Sequence, residues 1–209
     1  MASNSKRPTT TRGLVTVDRL IQITTQELDR VGLNRIDIDS ILRKSKVSKG
    51  SLYHHFGSKD GLLAAAEAQQ FMNYLKIEGD VLRTAIEKCE TKVQFRSLTA
   101  TVMKLSGLKD NREFRKKRLR AIAMSFNNVE LAKIMRDAQR ESMQSLAESM
   151  KIAQDRGWIK TDADLLALSY WLSGVFIGHV MLDITDQPDL DSRWSEVAIL
   201  ALESFVAED

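Results

Sequence analysis

DIDSILRKSKVSKGSLYHHFGSK, Asp37 to Lys59, is the stretch whose reading decides the fold. Asp37 is a good N-cap, and Ile38, Ile41 and Leu42 then share one face at helical spacing. Arg43 and Lys44 point the other way. Ser45, Lys46 and Val47 leave room only for a sharp turn. Ser48 caps a second short helix with Leu52 and Phe56 inward, and its outward face carries Lys49, Gly50, Ser51, Tyr53 and His54. A row of Lys, Ser, Tyr and His beside a residue without a side chain suits a helix laid in a DNA major groove. Donors there meet base edges and phosphates, and the small residue permits close approach. The motif spans 37–56.

Upstream, Val17, Leu20, Ile21, Leu28 and Val31 predict a helix from about Val15 to Val31, stopped by Gly32. It should seal a small core with Leu33, Ile38, Ile41, Leu52 and Phe56. Residues 1–13 read as a flexible basic tail. Lys6, Arg7 and Arg12 would trail along DNA, or the segment is a terminus without a specific role. It has no apolar core, so it is no secretory signal. Downstream, Ser58 caps a helix whose N-terminus, beside Lys59, is a natural place for a phosphate. That helix continues through Phe71, Tyr74 and Leu75 as the mechanical link out of the head, and Gly79 is expected to bend or break it before Val81, Leu82 and Ile86.

The run VSKGSLYHHFGSKDGLL resembles the signature of the TetR family of bacterial transcriptional regulators around its recognition helix. The resemblance covers about Leu14 to Leu63; the rest is similar only in length and helical texture. Two positions depart from the pattern: Lys46 stands where Gly is common, and Asp39 where many members carry a basic residue. The first costs on the order of 1 kcal/mol if φ is positive. The resemblance implies an all-α protein with a three-helix, helix-turn-helix DNA-binding head at 14–63 and a helical effector-binding and dimerisation body at 64–209. It also implies that Lys49, Gly50 and Ser51 meet bases while Tyr53, His54, His55 and Lys59 hold phosphates and sugars; Ser48 and Arg43 complete the DNA-contacting set. The implied partners are a double-stranded DNA operator, a small-molecule effector bound in the core of the body, and a second copy of the chain.

Charge agrees with such a head. Residues 1–60 hold 11 Lys/Arg against 6 Asp/Glu, the remainder 20 against 22, so the positive balance gathers at the motif's end of the chain. The one cysteine, Cys89, excludes a disulfide framework and fits a reducing cytoplasm. No acid–His–nucleophile grouping, phosphate-cradling glycine loop or metal-ligand spacing is present, so the chain reads as neither an enzyme nor a cofactor or metal protein.

Beyond the head, Thr91 starts a helix ending near Gly107, and Asp110 or Asn111 caps the next. That helix, Arg112 to Phe126, carries Arg115, Lys116, Lys117, Arg118 and Arg120. It reads as a solvated face with Leu119, Ile122 and Ala123 inward; a second nucleic-acid surface or an anionic-effector site is the other reading. Val129 to Arg156 is a long amphipathic helix closed by Gly157. Leu165 to Leu182 is 18 residues without a charge. Its Ser, Gly, His and Tyr, and the lack of a close basic flank, favour a buried or dimer-interface helix over a membrane span. A last helix is expected over Ser192 to Val206. Candidate dimer residues are Leu168, Gly174, Gly178, Trp194, Leu200 and Phe205. Candidates for the effector pocket are Phe71, Met103, Met124, Met135, Trp171 and His179, methionine being suited to adaptable apolar walls. The whole reads as a homodimeric repressor released from a palindromic operator by an effector. The alternative is a DNA-binding factor of the nucleoid or division-site type without ligand gating.

Overall fold

The computed structural model describes residues 11–108, 111–185, 187 and 189–208. They form ten α-helices and a short 3-10 turn. In order these are α1 (Thr11–Val31), the 3-10 turn (Leu33–Arg35), α2 (Ile38–Ser45), α3 (Lys49–Phe56), α4 (Lys59–Lys88), α5 (Lys92–Ser106) and α6 (Arg112–Ser125). They are followed by α7 (Val129–Asp155), α8 (Leu165–Gly178), α9 (Val180–Thr185) and α10 (Asp189–Glu203). Among the described residues the sole β pairing is an isolated antiparallel bridge of Ile159 with Val206. The fold is all-α, with an N-terminal helix-turn-helix head and a helical body.

The chain divides into two compact units. The first runs to Asn73 and takes in Ala123–Met135; the second holds Tyr74–Ile122 and Arg136–Asp209. In the first, α1, α2, α3 and the start of α4 close around Leu20, Ile41, Leu42, Leu52 and Leu62, all buried. Each such side chain contributes about 1.5–3 kcal/mol by leaving water. Asp29 of α1 accepts a hydrogen bond from Gln70 of α4 at 2.9 Å. In the second unit Ile86, Phe95, Met103, Met150, Leu168 and Leu172 anchor the larger core.

Several expectations from the sequence change here. α1 starts at Thr11, so 11–13 of the expected tail are helical, while 1–10, with Lys6 and Arg7, lie outside the described residues. Asp110 also lies outside them. α4 passes through Gly79 without a break. One helical glycine costs only ~1 kcal/mol, which buried Leu75 and Ile86 on either side offset. The uncharged run has the length and mean hydropathy, 1.7, of a membrane span. It is nevertheless divided by a turn at His179 into α8 and α9, and Leu168, Leu172, Val175 and Phe176 pack into the body core. α10 begins at Asp189 and ends at Glu203, leaving Phe205 and Val206 to the bridge segment.

The largest change concerns α6. Its basic run is no solvated face: Arg115 and Arg118 are buried, whereas Leu119 and Ala123 are exposed. Arg115 forms a two-pronged pair with Asp183, at 2.8 and 2.7 Å. Arg112 also donates to the Asp183 carbonyl. Burial pushes the Asp183 carboxyl up, but its hydrogen bonds with Arg115 and the neighbouring cations outweigh this and leave it below the ordinary range. Charge-assisted pairing of this kind makes burial of a guanidinium tolerable.

Candidate nucleic-acid interface and ligand cavity

The turn between α2 and α3 is built by the backbone. Lys46 adopts φ 56 and ψ 34, the left-handed conformation that glycine ordinarily supplies. Its N–H bonds to Arg43 O at 3.2 Å and the Val47 N–H to Leu42 O at 3.2 Å. This pair of bonds closes a helix C-terminus around a left-handed residue, and Val47 adds an apolar contact to the head core. Lys46 therefore occupies the glycine conformation at the modest cost expected of it. Asp37 caps α2 by accepting from Asp39 N at 2.9 Å. Ser48 caps α3 by accepting from Ser51 N at 3.2 Å.

α3 has one fully buried side chain, Leu52, with Phe56 partly buried behind it. Lys49, Gly50, Tyr53 and His54 are exposed, as are Ser48, Arg43 and Lys59; Ser51 and His55 are half-buried. The predicted set thus lies on α3, its cap and the start of α4, with Arg43 on α2. The structure gives Gly50 no internal reason to be glycine: a Cβ there would meet nothing nearer than Ser48 Oγ at 3.9 Å. Rings of His54 and His55 meet edge-on, centroids 4.9 Å apart. Burial, and then the neighbouring His54, pull the His55 pKa down, which favours its neutral form.

Gly61 is a residue that sequence reading missed. It sits in the first turn of α4, just after Ser58 Oγ accepts its N–H at 3.0 Å. A Cβ on it would collide with the Phe56 carbonyl oxygen and stand 3.2 Å from the carbonyl carbon. A glycine inside a helix's opening turn was the available signal.

Glu27 of α1 braces the head. It accepts from Lys44 of α2 at 2.6 Å and from Arg30 at 2.8 Å. The Arg30 and then the Lys44 hydrogen bonds hold its pKa near 2 against an ordinary 4.5. A carboxylate lowered in the folded state stabilises fully above about pH 4.5 and loses that contribution as pH falls toward about 2. Glu27→Gln should therefore lower the melting temperature at pH 7, and the gap to wild type should close between those pH values. Circular dichroism melts across that range check it; a gap unchanged with pH would refute the brace.

The second unit contains a cavity of about 520 Å³ bordered by α4, α5, α6, α7 and α8. Its size falls within the usual range for small-molecule sites, ~300–1,000 Å³. The walls are mainly apolar, with Leu82, Val102, Leu146 and Phe176 among them; Glu78, Arg115 and Arg118 are the charged residues in the lining. Tyr74 and Phe114 meet edge-on in the wall, ring centroids 4.6 Å apart. A smaller apolar void of about 70 Å³ adjoins the body core.

This places the predicted pocket residues differently. Met103 lines the small void, and neither lining includes Phe71, Met124, Met135, Trp171 or His179. Phe71 and Met135 are buried. Trp171 lies against Phe205, centroids 6.4 Å apart. His179 is wholly buried, packed on Gly107, with Asp191 3.6 Å away and Trp194 edge-on at 5.9 Å. Burial and then Arg115 pull its pKa down, Asp191 and Asp183 opposing. Of the predicted dimer residues, Leu168 is committed to the body core, and a Cβ on Gly178 would stand 3.3 Å from the Trp194 ring of the same chain. Gly174 and Leu200 are exposed. Cys89 is buried, and burial pushes its thiol pKa up.

The model of the bacterial regulatory proteins of the tetR family matches residues 20–66, spanning α1 to the start of α4. The HTH-type transcriptional regulator BetI of Stenotrophomonas maltophilia is 40% identical over 52 residues, 25% of this chain and 26% of that protein. BetI 1 of Chromohalobacter salexigens is 45% identical over 51 residues, 24% of this chain and 25% of its own. The matches therefore span about a quarter of each relative. Solved structures extend the likeness in fold. A TetR-family transcriptional regulator of Pectobacterium atrosepticum has a TM-score of 0.66 at 18% identity, covering 96% of this chain and 99% of that one. One from Cytophaga hutchinsonii has a TM-score of 0.63 at 14% identity, covering 97% and 100%. Residues 20–66 thus match the N-terminal domain of the tetR family of bacterial regulatory proteins, and the chain shares the fold of TetR-family regulators along nearly its whole length.

Proposed function

We propose that the chain is a sequence-specific DNA-binding transcriptional regulator: a cytoplasmic homodimeric repressor, not an enzyme, released from a palindromic operator by a small molecule. The carrying observation is α3, whose packing needs Leu52 and Phe56 and which leaves Lys49, Gly50, Tyr53 and His54 outward. Such a helix suits a major groove, with Lys49, Gly50 and Ser51 toward bases. Tyr53, His54, His55 and Lys59 are assigned to the backbone, with Ser48 and Arg43 beside them. Support for a second copy comes from the apolar side chains exposed on α8 and α10: Leu166, Tyr170, Trp171, Val197 and, at 71%, Leu200. The cavity of about 520 Å³ supports an effector site, through which a ligand would favour a conformation with lower operator affinity.

Selection of bound DNA from a random pool tests the reading. Its expected product is a near-palindrome with half-site centres ~34–36 Å apart or a multiple of this. On that site Tyr53→Ala should weaken binding roughly tenfold whatever the bases, while Lys49→Ala should relax preference at one position by about 1–3 kcal/mol. Selection of no consensus, or Tyr53→Ala binding unchanged at matched salt, overturns it.

A further inference from the structure

We infer that the body cavity takes a largely apolar small molecule carrying one anionic group, and that Arg118 holds that group. This deepens the effector reading above and rests on it for the consequence of binding.

The wall chemistry is uneven. Over most of its surface the cavity offers aliphatic and aromatic side chains, which favour an apolar ligand body. Its charge is concentrated on α6 and the facing turn of α4. Arg115 is engaged by both oxygens of Asp183, which is outside the lining. Arg118 is in a different situation. Its side chain is 6% exposed, and Nη2 donates to Ser173 of α8 at 2.8 Å, which fixes the guanidinium in the wall. One carboxylate near it, Glu78, stands 3.7 Å away, beyond hydrogen-bond distance, and is 49% exposed. The guanidinium stays cationic even where burial disfavours charge. Glu78, on the rim and loosely paired, is the exchangeable member. A ligand carboxylate entering beside Ser173 would approach Arg118 more closely than Glu78 does and release Glu78 outward. A cationic ligand would have to compete with the fixed guanidinium for Glu78, so the geometry favours an acid.

Binding to the full chain tests this with matched acid and alcohol probes: dodecanoate against dodecanol, and 1-naphthaleneacetate against 1-naphthaleneethanol. At least one acid should bind about tenfold more tightly than its alcohol, the size expected for a charge-assisted hydrogen bond. Arg118→Met should bring that ratio to about one, since the charged contact with the acid is removed. Glu78→Gln should tighten acid binding severalfold by removing the competing carboxylate, an outcome that a purely structural role for the pair would not produce. Circular dichroism verifies folding, and if Arg118→Met does not fold, Glu78→Gln decides alone. No binding by any probe, equal binding of acid and alcohol, an acid preference that survives Arg118→Met, or no gain in Glu78→Gln overturns the inference. Release of operator DNA, measured in parallel, separates the two readings. Acid binding with these signatures but without DNA release keeps the site and removes the effector role. Release by acid and alcohol alike keeps the effector role and removes the anion site.

Discussion

Gly61→Ala is expected to destabilise the head strongly and with it weaken DNA binding. The added methyl would be driven into the Phe56 carbonyl, which is backbone at the end of α3 and cannot turn away as a side chain can. Relief requires α3 and α4 to separate, and these helices bring Leu52 and Leu62 into the same core. Overpacking typically costs 1–3 kcal/mol, and a clash with backbone belongs at about 3 kcal/mol or above. Against a total stability of about 5–15 kcal/mol this is a large fraction. A lowered first transition in a melting curve, with operator binding lost in proportion, is the expected result. A wild-type melt would show that the junction has slack that its geometry does not reveal.

Gly50→Leu tests the opposite case, in which the fold is spared and the interface is lost. Nothing but Ser48 Oγ, at 3.9 Å, lies near a Cβ at this position, and the residue is exposed. Removing a helical glycine should even raise stability by roughly 0.5–1 kcal/mol. The longer side chain would hold α3 away from the groove floor, where each good base contact is worth about 1–3 kcal/mol. Losing contacts on both sides of it gives about a 100-fold loss of operator affinity. Equal or higher melting temperature with that loss is the expected pairing; retained affinity would show that position 50 is not where the helix approaches DNA.

These two glycines mark the limit of what could be read from residues in order. Asp37 and Ser48 were legible as caps, and Lys46 as a strained turn residue, because each acts on backbone within a few positions. Gly50 was legible as a position on the outward face of α3, where it is exposed. Gly61 was not, since its constraint comes from the carbonyl of a preceding helix after a turn. Distance along the chain explains the misreading of α6 as well. The groups that draw Arg115 and Arg118 inward are Asp183 and Ser173, 68 and 55 residues away, and a cluster of like charges is solvated unless such partners exist. The cavity was the least legible feature, because walls are defined by where helices fail to touch. Methionines chosen as its lining, such as Met135, instead fill close-packed space.

The sparse anchoring of α3 bears on how such a protein diversifies. One buried leucine, one half-buried phenylalanine and a serine cap hold the helix, and none of them belongs to the outward row. Substitutions at Lys49, Gly50, Tyr53 and His54 therefore encounter little selection from folding. On the proposed placement of α3 in the groove, two copies of this head could drift to different operators through these positions after gene duplication, without an intermediate that fails to fold.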